Sequence, residues 1–279
     1  MKNPSVPCED RQLVLVDSHV HFHDSFEREA FFDAAERNFQ DAAATRDLGS
    51  TLGFLLLTEV GGDRFFRSLR QSIGRANASG WAFEATAEED SLLGRRDDGA
   101  SLVVVSGHQL ATKEGLEVLA LCCPRPLASG LETRETVEAV RSAGGLPTIP
   151  WGFGKWTGTR GRILDALLRD QEPSSIYLGD TSARWPGAPE PKLFAKAVET
   201  GVRILPGTDP FPFSKGERRV GSFGFFLDLT VDMARPAESL KESLRDPNTA
   251  PEPYGRGMTF PVFCRDQFIM QIRKRLVRR

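Results

Sequence analysis

Leu13-Val14-Leu15-Val16-Asp17-Ser18-His19-Val20-His21-Phe22-His23 carries three of the chain's four histidines within five residues. The apolar run 13–16 reads as a short buried strand. Alternate side chains of a strand share a face, so His19, His21 and His23 are expected to point the same way. Two neutral imidazoles on one face of a strand end can grip a divalent ion without a loop folding around it. The bland alternative is a polar strand end with nothing bound. Histidine is scarce elsewhere, which favours the metal reading.

The rest of the chain sets the frame for that strand. At 279 residues and 40% hydrophobic content it can bury one large core, and α/β barrels of this size fold as one domain. A net charge of −2 gives no global field toward nucleic acid or membrane, so neither is an expected partner. The four cysteines, Cys8, Cys122, Cys123 and Cys264, show no CxxC pair. No signal-peptide core stands at the N-terminus and no apolar run has the length of a membrane span, so a reducing cytoplasm is expected.

Strand-like and helical patterns alternate. Helices are expected over 26–48, 63–75, 132–143, 160–169 and 191–200, and strands over 51–58, 147–151, 175–178 and 202–205. Four short strands over 81–86, 90–93, 102–105 and 116–121 read as a small antiparallel elaboration. The prolines at 247, 251 and 253 read as a connector before a C-terminal helix, whose basic end (Arg273, Lys274, Arg275, Arg278, Arg279) suits the helix dipole. Repeated strand–helix units predict an α/β fold with a parallel sheet, closed as a barrel. The barrel core spans about 13–230 and a helical extension about 235–279, within a single domain over 1–279.

Polar residues follow the expected strands: Thr58-Glu59, Gly179-Asp180-Thr181 and Gly207-Thr208-Asp209. Ligands bind at such C-terminal strand ends. His19, His21, Glu59, Asp180 and Asp209 would then share one rim, a donor set suited to Zn, Mn or Fe. Asp209 could equally make a turn, Asp180 could cap an element or orient Arg184, and His108 reads as structural. Lys155, Arg160, Arg184, Lys215, Arg218 and Arg219 could receive an anion, although most such charges are solvated. Trp151-Gly-Phe-Gly-Lys155 lacks P-loop spacing, and no GxSxG elbow is present.

These segments, in this order, resemble the PHP (polymerase and histidinol phosphatase) family, an amidohydrolase-like group. Asp17-Ser18-His19-Val20-His21 resembles its opening Asp-x-His-x-His. Leu55 to Val60 is similar to a strand ending Thr-Asp-His, and Ser106-Gly107-His108-Gln109 to a Gly-x-Glu segment. The stretch 139–150 resembles a helix, turn and strand ending Ala-His-Pro, and Gly207-Thr208-Asp209-Pro210-Phe211 resembles Gly-Ser-Asp-Ala-His. The resemblance implies a distorted (βα)7-type barrel and a metal-dependent phosphoesterase-like activity. Family ligands carry over at His19, His21 and Asp209, with Glu59 in place of an aspartate. Val60, Pro150 and Phe211 stand where the family has ligand histidines, and Gln109 where it has a glutamate. The full multi-ion site is therefore not expected.

Three readings follow. The first is a hydrolase with a reduced site, one divalent ion on His19, His21, Asp209 and Glu59. In it Glu59, Asp180 and His23 serve catalysis, and Lys155, Arg160, Arg184 and Gln109 bind a small anionic substrate. The second is a catalytically inactive PHP-like binding or regulatory protein, its site a remnant without metal. The third places new chemistry on Asp180, Arg184 and His23.

Overall fold

The computed structural model describes residues 11–49, 51–74, 80–170, 175–213 and 215–277, without the side chains of 271 and 273–277. Cys8, the end of the 63–75 helix, Arg278, Arg279 and the side chains of Arg273, Lys274 and Arg275 lie outside the described residues. In chain order the elements are β1 (Gln12–Val20), α1 (Arg28–Ala44), β2 (Gly53–Leu57), β3 (Glu59–Val60), α2 (Phe65–Gln71), β4 (Trp81–Ala85), β5 (Ser91–Arg96), β6 (Ser101–Val105), β7 (Gly107–Ala111) and β8 (Glu117–Leu121). There follow α3 (Thr133–Ser142), β9 (Leu146–Pro150), α4 (Gly158–Asp170), β10 (Tyr177–Thr181), α5 (Lys192–Glu199), β11 (Ile204–Gly207), β12 (Phe223–Leu229), α6 (Pro236–Arg245), β13 (Glu252–Gly255) and α7 (Phe260–Val277).

The strands form two sheets, ordered β13-β12-β1-β2-β6-β5-β4 and β11-β10-β9-β8-β7-β3. The fold is thus mixed α/β, and the ladders do not close into one barrel. The expected parallel pairing holds for β1-β2-β6 and for β9-β10-β11. β3 also pairs in parallel with β7, and the other pairs are antiparallel, including β1 with β12 and the run β7-β8-β9. The 81–123 region is therefore part of both sheets rather than an appendage. Pro253 sits in β13, a terminal strand, where a missing N–H costs no ladder bond; the expected connector contains this short strand.

β1 is buried on both faces, which its continuous apolar run requires. Val14 and Val16 pack with Phe54, Leu56, Val103, Val105, Phe225 and Leu227. Leu15 faces the other way, against Phe31, Phe32, Ala35 and Phe39 of α1. A third cluster joins α3, α4 and α5, through Val137, Val140, Leu164, Leu167 and Phe194, to Ile149 and Leu178 of β9 and β10.

The sheets meet where strands break. β2 runs into β3 across Thr58, and β6 runs into β7 across Ser106. At the second break a Cβ on Gly107 would lie 2.5 Å from the Leu57 carbonyl oxygen and 2.7 Å from that of Ala120, so only glycine fits. At the opposite join, β11 presses on the end of β1. A Cβ on Gly207 would lie 2.3 Å from the His19 backbone nitrogen and 2.6 Å from its Cβ.

Candidate metal centre

The end of β1 is irregular. Asp17 pairs with Leu55 and Val20 with Leu57, so three steps on β1 match two on β2. Such a bulge re-aims side chains. Asp17, fully buried, accepts hydrogen bonds from the Thr208 backbone N–H (2.8 Å), the Thr208 hydroxyl (2.5 Å) and the Gly221 N–H (2.9 Å), with the His19 N–H at 3.3 Å. Burial pushes the Asp17 carboxyl up to about 7 against the pull of these donors. The Ser18 hydroxyl lies 2.8 Å from the Pro206 carbonyl oxygen and 3.1 Å from that of Leu205. The Asp209 N–H donates to the His19 carbonyl at 2.8 Å. These contacts fix the end of β11 against β1, and Asp209, at φ 47°, turns its side chain back over the histidines.

The result is a triangle of donors. His19 Nε2 and His21 Nε2 are 3.0 Å apart, and each is 3.7 Å from Asp209 Oδ1. Among the described residues this is the one group of histidine, cysteine or acidic side chains whose atoms converge as metal ligands do. A four-coordinate ion with ligands at ~2.1 Å sets donor–donor edges near ~3.4 Å. A point equidistant from the three observed atoms lies about 2.0 Å from each. Burial holds the His21 imidazole down to about 3, with His19 adding to the effect, so the ring is neutral and keeps a lone pair. Burial raises the Asp209 carboxyl, but His19, His21 and Lys155 pull it down further than that, and it is ionised. Two imidazoles and one carboxylate suit a divalent cation, so the donor chemistry fits the expected cofactor.

Of the other expected site residues, Gln109 and His23 touch the triangle, while Glu59, Asp180, Lys155 and Arg160 have partners elsewhere. Gln109 reaches it, its Oε1 3.2 Å from His19 Nε2. His23 stacks on His21 and bonds to the Pro210 carbonyl at 2.9 Å, placing it beside the triangle. Glu59 turns toward α2, where its Oε1 accepts the Phe66 N–H at 2.8 Å; burial raises its pKa. Asp180 forms a two-pronged ion pair with Arg184 and accepts the Thr181 N–H. Lys155 is ion-paired with Glu117, and Arg160 donates to the carbonyls of Gly154 and Gly115. Lys155, Arg160 and Arg184 are thus partnered within the fold.

Two features had no counterpart in the sequence reading. Asp17 appeared there only as a motif letter, whereas it ties β1 to the segments around Thr208 and Gly221. A cavity of about 1060 Å³ also opens beside the triangle, with Gln109, Glu59, Ser106 and His108 in its wall.

No family model and no curated protein matches the chain. Among solved structures it is similar to PsfC from Pseudomonas syringae PB-5123, with a TM-score of 0.49 and 14% identity over 95% of this chain and 99% of that one. It is also similar to Endonuclease Q in complex with a 27-mer duplex substrate, with a TM-score of 0.46 and 11% identity over 84% of this chain. The chain spans 57% of the Endonuclease Q chain. Neither likeness is close enough to assign a family. Among the described residues no helix is long and apolar enough to cross a membrane.

Proposed function

We propose that this protein is a metal-dependent hydrolase of the PHP type acting on a small anionic ester, with one divalent ion held by His19, His21 and Asp209. The observation that carries the reading is the donor triangle, whose 3.0, 3.7 and 3.7 Å edges match one face of a tetrahedral site and leave the fourth position free. An ion bound there would polarise an ester and acidify a water. The chain's own residues supply the rest. Burial keeps His21 neutral, Asp209 supplies the negative charge, and Lys155 lends positive potential on the Asp209 side. Glu59, in the cavity wall with a raised pKa, is the proton acceptor in this reading. Asp180 holds Arg184, and His23 steadies the Pro210 carbonyl next to Asp209. The two sheets form the halves of a distorted barrel whose remaining seam, between β1 and β11, is bridged at the site by Asp209 N–H and the His19 carbonyl.

A second reading, a binding protein that has lost catalysis, is favoured by Val60, Pro150 and Phe211, which cannot ligate a metal, and by the internal pairing of Lys155, Arg160 and Arg184. Elemental analysis of protein purified without added metal, beside His19→Ala, separates the two. Stoichiometric metal that is lost in the variant, with metal-dependent cleavage of p-nitrophenyl phosphate, supports the hydrolase. Folded wild-type protein that takes up no Zn, Mn or Fe sinks it.

A further inference from the structure

Large apolar side chains on the surface gather in one place. Of the eight that are exposed among the described residues, Phe260, Phe268 and Ile272 lie on α7, and a fourth, Phe153, packs its ring 5.5 Å from that of Phe263 in the same helix. These four are between 42 and 67% exposed. Phe260, Phe268 and Ile272, with the exposed Cys264, fall at four-residue spacing and form a row along one side of the helix. The other side holds α7 to the protein. Phe263 and Asp266 are buried there, and Phe263 belongs to a cluster with Met258, Trp185 and Phe211. Phe153 and Phe260 both lie against the Trp185 ring, at 6.2 and 5.2 Å, so the exposed row continues into the loop after β9.

Charge gathers at the same end of the chain. Residues 256–279 hold seven arginines and lysines and one acid, Asp266, in a chain whose net charge is −2. Three of those cations, Arg273, Lys274 and Arg275, belong to the last turns of α7, and Arg278 and Arg279 follow it in sequence. One helix thus carries an exposed apolar row that gives way to a run of cations. That combination suits a helix lying in the headgroup layer of an anionic bilayer, where apolar side chains enter the acyl boundary and cations meet lipid phosphates and carboxylates. A nucleic-acid duplex would meet the cations and leave the apolar row in water. A second copy packed row to row would bury the apolar side chains without neutralising the cations. An anionic bilayer does both.

We propose that the outer face of α7, with Phe153 beside it, docks the protein on an anionic lipid surface, Phe260, Phe268 and Ile272 entering the headgroup layer and the C-terminal cations pairing with its anionic groups. Because α7 packs on Phe211, two residues beyond Asp209, this face borders the rim that carries the donor triangle. Docking does not require metal at that triangle. The test is flotation of full-length protein with vesicles of phosphatidylcholine alone, or with about 30% phosphatidylserine, at about 0.1 M salt. Wild-type protein should partition onto the anionic vesicles at least about tenfold more strongly than onto the neutral ones, and about 0.5 M salt should remove most of that difference. Arg273→Gln, Lys274→Gln and Arg275→Gln combined should weaken binding about 100-fold, at about fivefold per cation. Phe268→Ser should weaken it at least about tenfold, and Ile272→Ser is the second substitution if Phe268→Ser folds poorly. Folded wild-type protein that stays off the anionic vesicles overturns the proposal. Vesicle binding untouched by both serine variants overturns it too. Retention on a DNA duplex without vesicle binding would instead assign the cations to nucleic acid. A dimer in sedimentation that Phe268→Ser dissociates, again without vesicle binding, would assign the face to a second copy.

Discussion

Replacing Gly207 by alanine tests whether the site depends on the close approach of β11 to β1. The added Cβ would sit 2.3 Å from the His19 nitrogen and 2.6 Å from its Cβ, both on a buried strand that cannot swing aside. Ordinary contact requires the two strands to part by about 1 Å. That movement strains the 2.8 Å Asp209 N–H bond to the His19 carbonyl and widens the 3.7 Å edges from Asp209 to both histidines. Overpacking of this kind costs about 1–3 kcal/mol, or roughly 2–10 °C in melting temperature for a chain of this size. Metal affinity should fall by about 10–100-fold, the usual effect of disturbing ligand orientation. Calorimetric zinc titration and a thermal melt read both effects. Gly49→Ala is the control, since its Cβ would meet nothing within 4 Å. A Gly207→Ala protein with wild-type melting and zinc affinity would refute the reasoning, because the join would then be soft and the donor triangle set by other contacts.

Other expectations follow from the same geometry. Asp17→Ala leaves the Thr208 N–H and hydroxyl and the Gly221 N–H without their acceptor and should cost about 3–5 kcal/mol, measured by urea unfolding; a loss under about 1 kcal/mol would mean that water replaces the carboxylate. Arg184→Leu strands the buried Asp180 carboxylate and should destabilise by about 3–5 kcal/mol. Metal content should be unchanged in that variant, and a fall in metal would show Asp180 to be part of the ion's shell. Burial pushes the Glu114 carboxyl up, but hydrogen bonds from the Thr133 N–H and hydroxyl outweigh it and hold its pKa below the usual range. Its contribution is therefore present above the unfolded carboxylate pKa and is lost as pH falls through the native value. Stability of Glu114→Gln should fall less steeply than wild type between about pH 5 and pH 3, and parallel curves would contradict this.

The strand at 13–16, most helices and the histidine pair of the donor triangle were legible because their signals are local. Apolar runs and three- and four-residue spacings report burial directly, as in Phe31, Phe32, Ala35 and Phe39 of α1. Asp209 was legible as a polar residue after an expected strand and Gln109 through the family resemblance, and the structure brings both to His19. What stayed hidden depends on distant partners. Asp17 looks like any acid before a motif until Thr208 and Gly221, about two hundred residues on, supply its donors. β12 is an apolar run, Phe223–Leu229, and could have been read as a strand; nothing local says that it pairs antiparallel with β1. β7 was missed because Gly107-His108-Gln109 has little strand propensity and is held in place by its neighbours β8 and β3. Glu59 pointed to the rim by position, but its carboxylate is engaged by the α2 backbone, which no spacing rule reveals.

The irregular end of β1 has a further consequence for how the molecule opens. Up to Val16 the strand is zipped on both edges, to β12 and to β2. Beyond it, the edge facing β11 is joined by the Asp209–His19 backbone bond and by the side chains of Asp17 and Ser18. Opening this join would break that backbone bond and the side-chain bonds of Asp17 and Ser18 together. A ligand bridging His19 and Asp209 raises that opening energy by RT ln(1 + [L]/Kd), about 2.7 kcal/mol at a hundredfold excess over Kd. Whatever binds the triangle acts as a latch on the two sheets, and slowed hydrogen exchange at the Asp209 amide is where its closing would register.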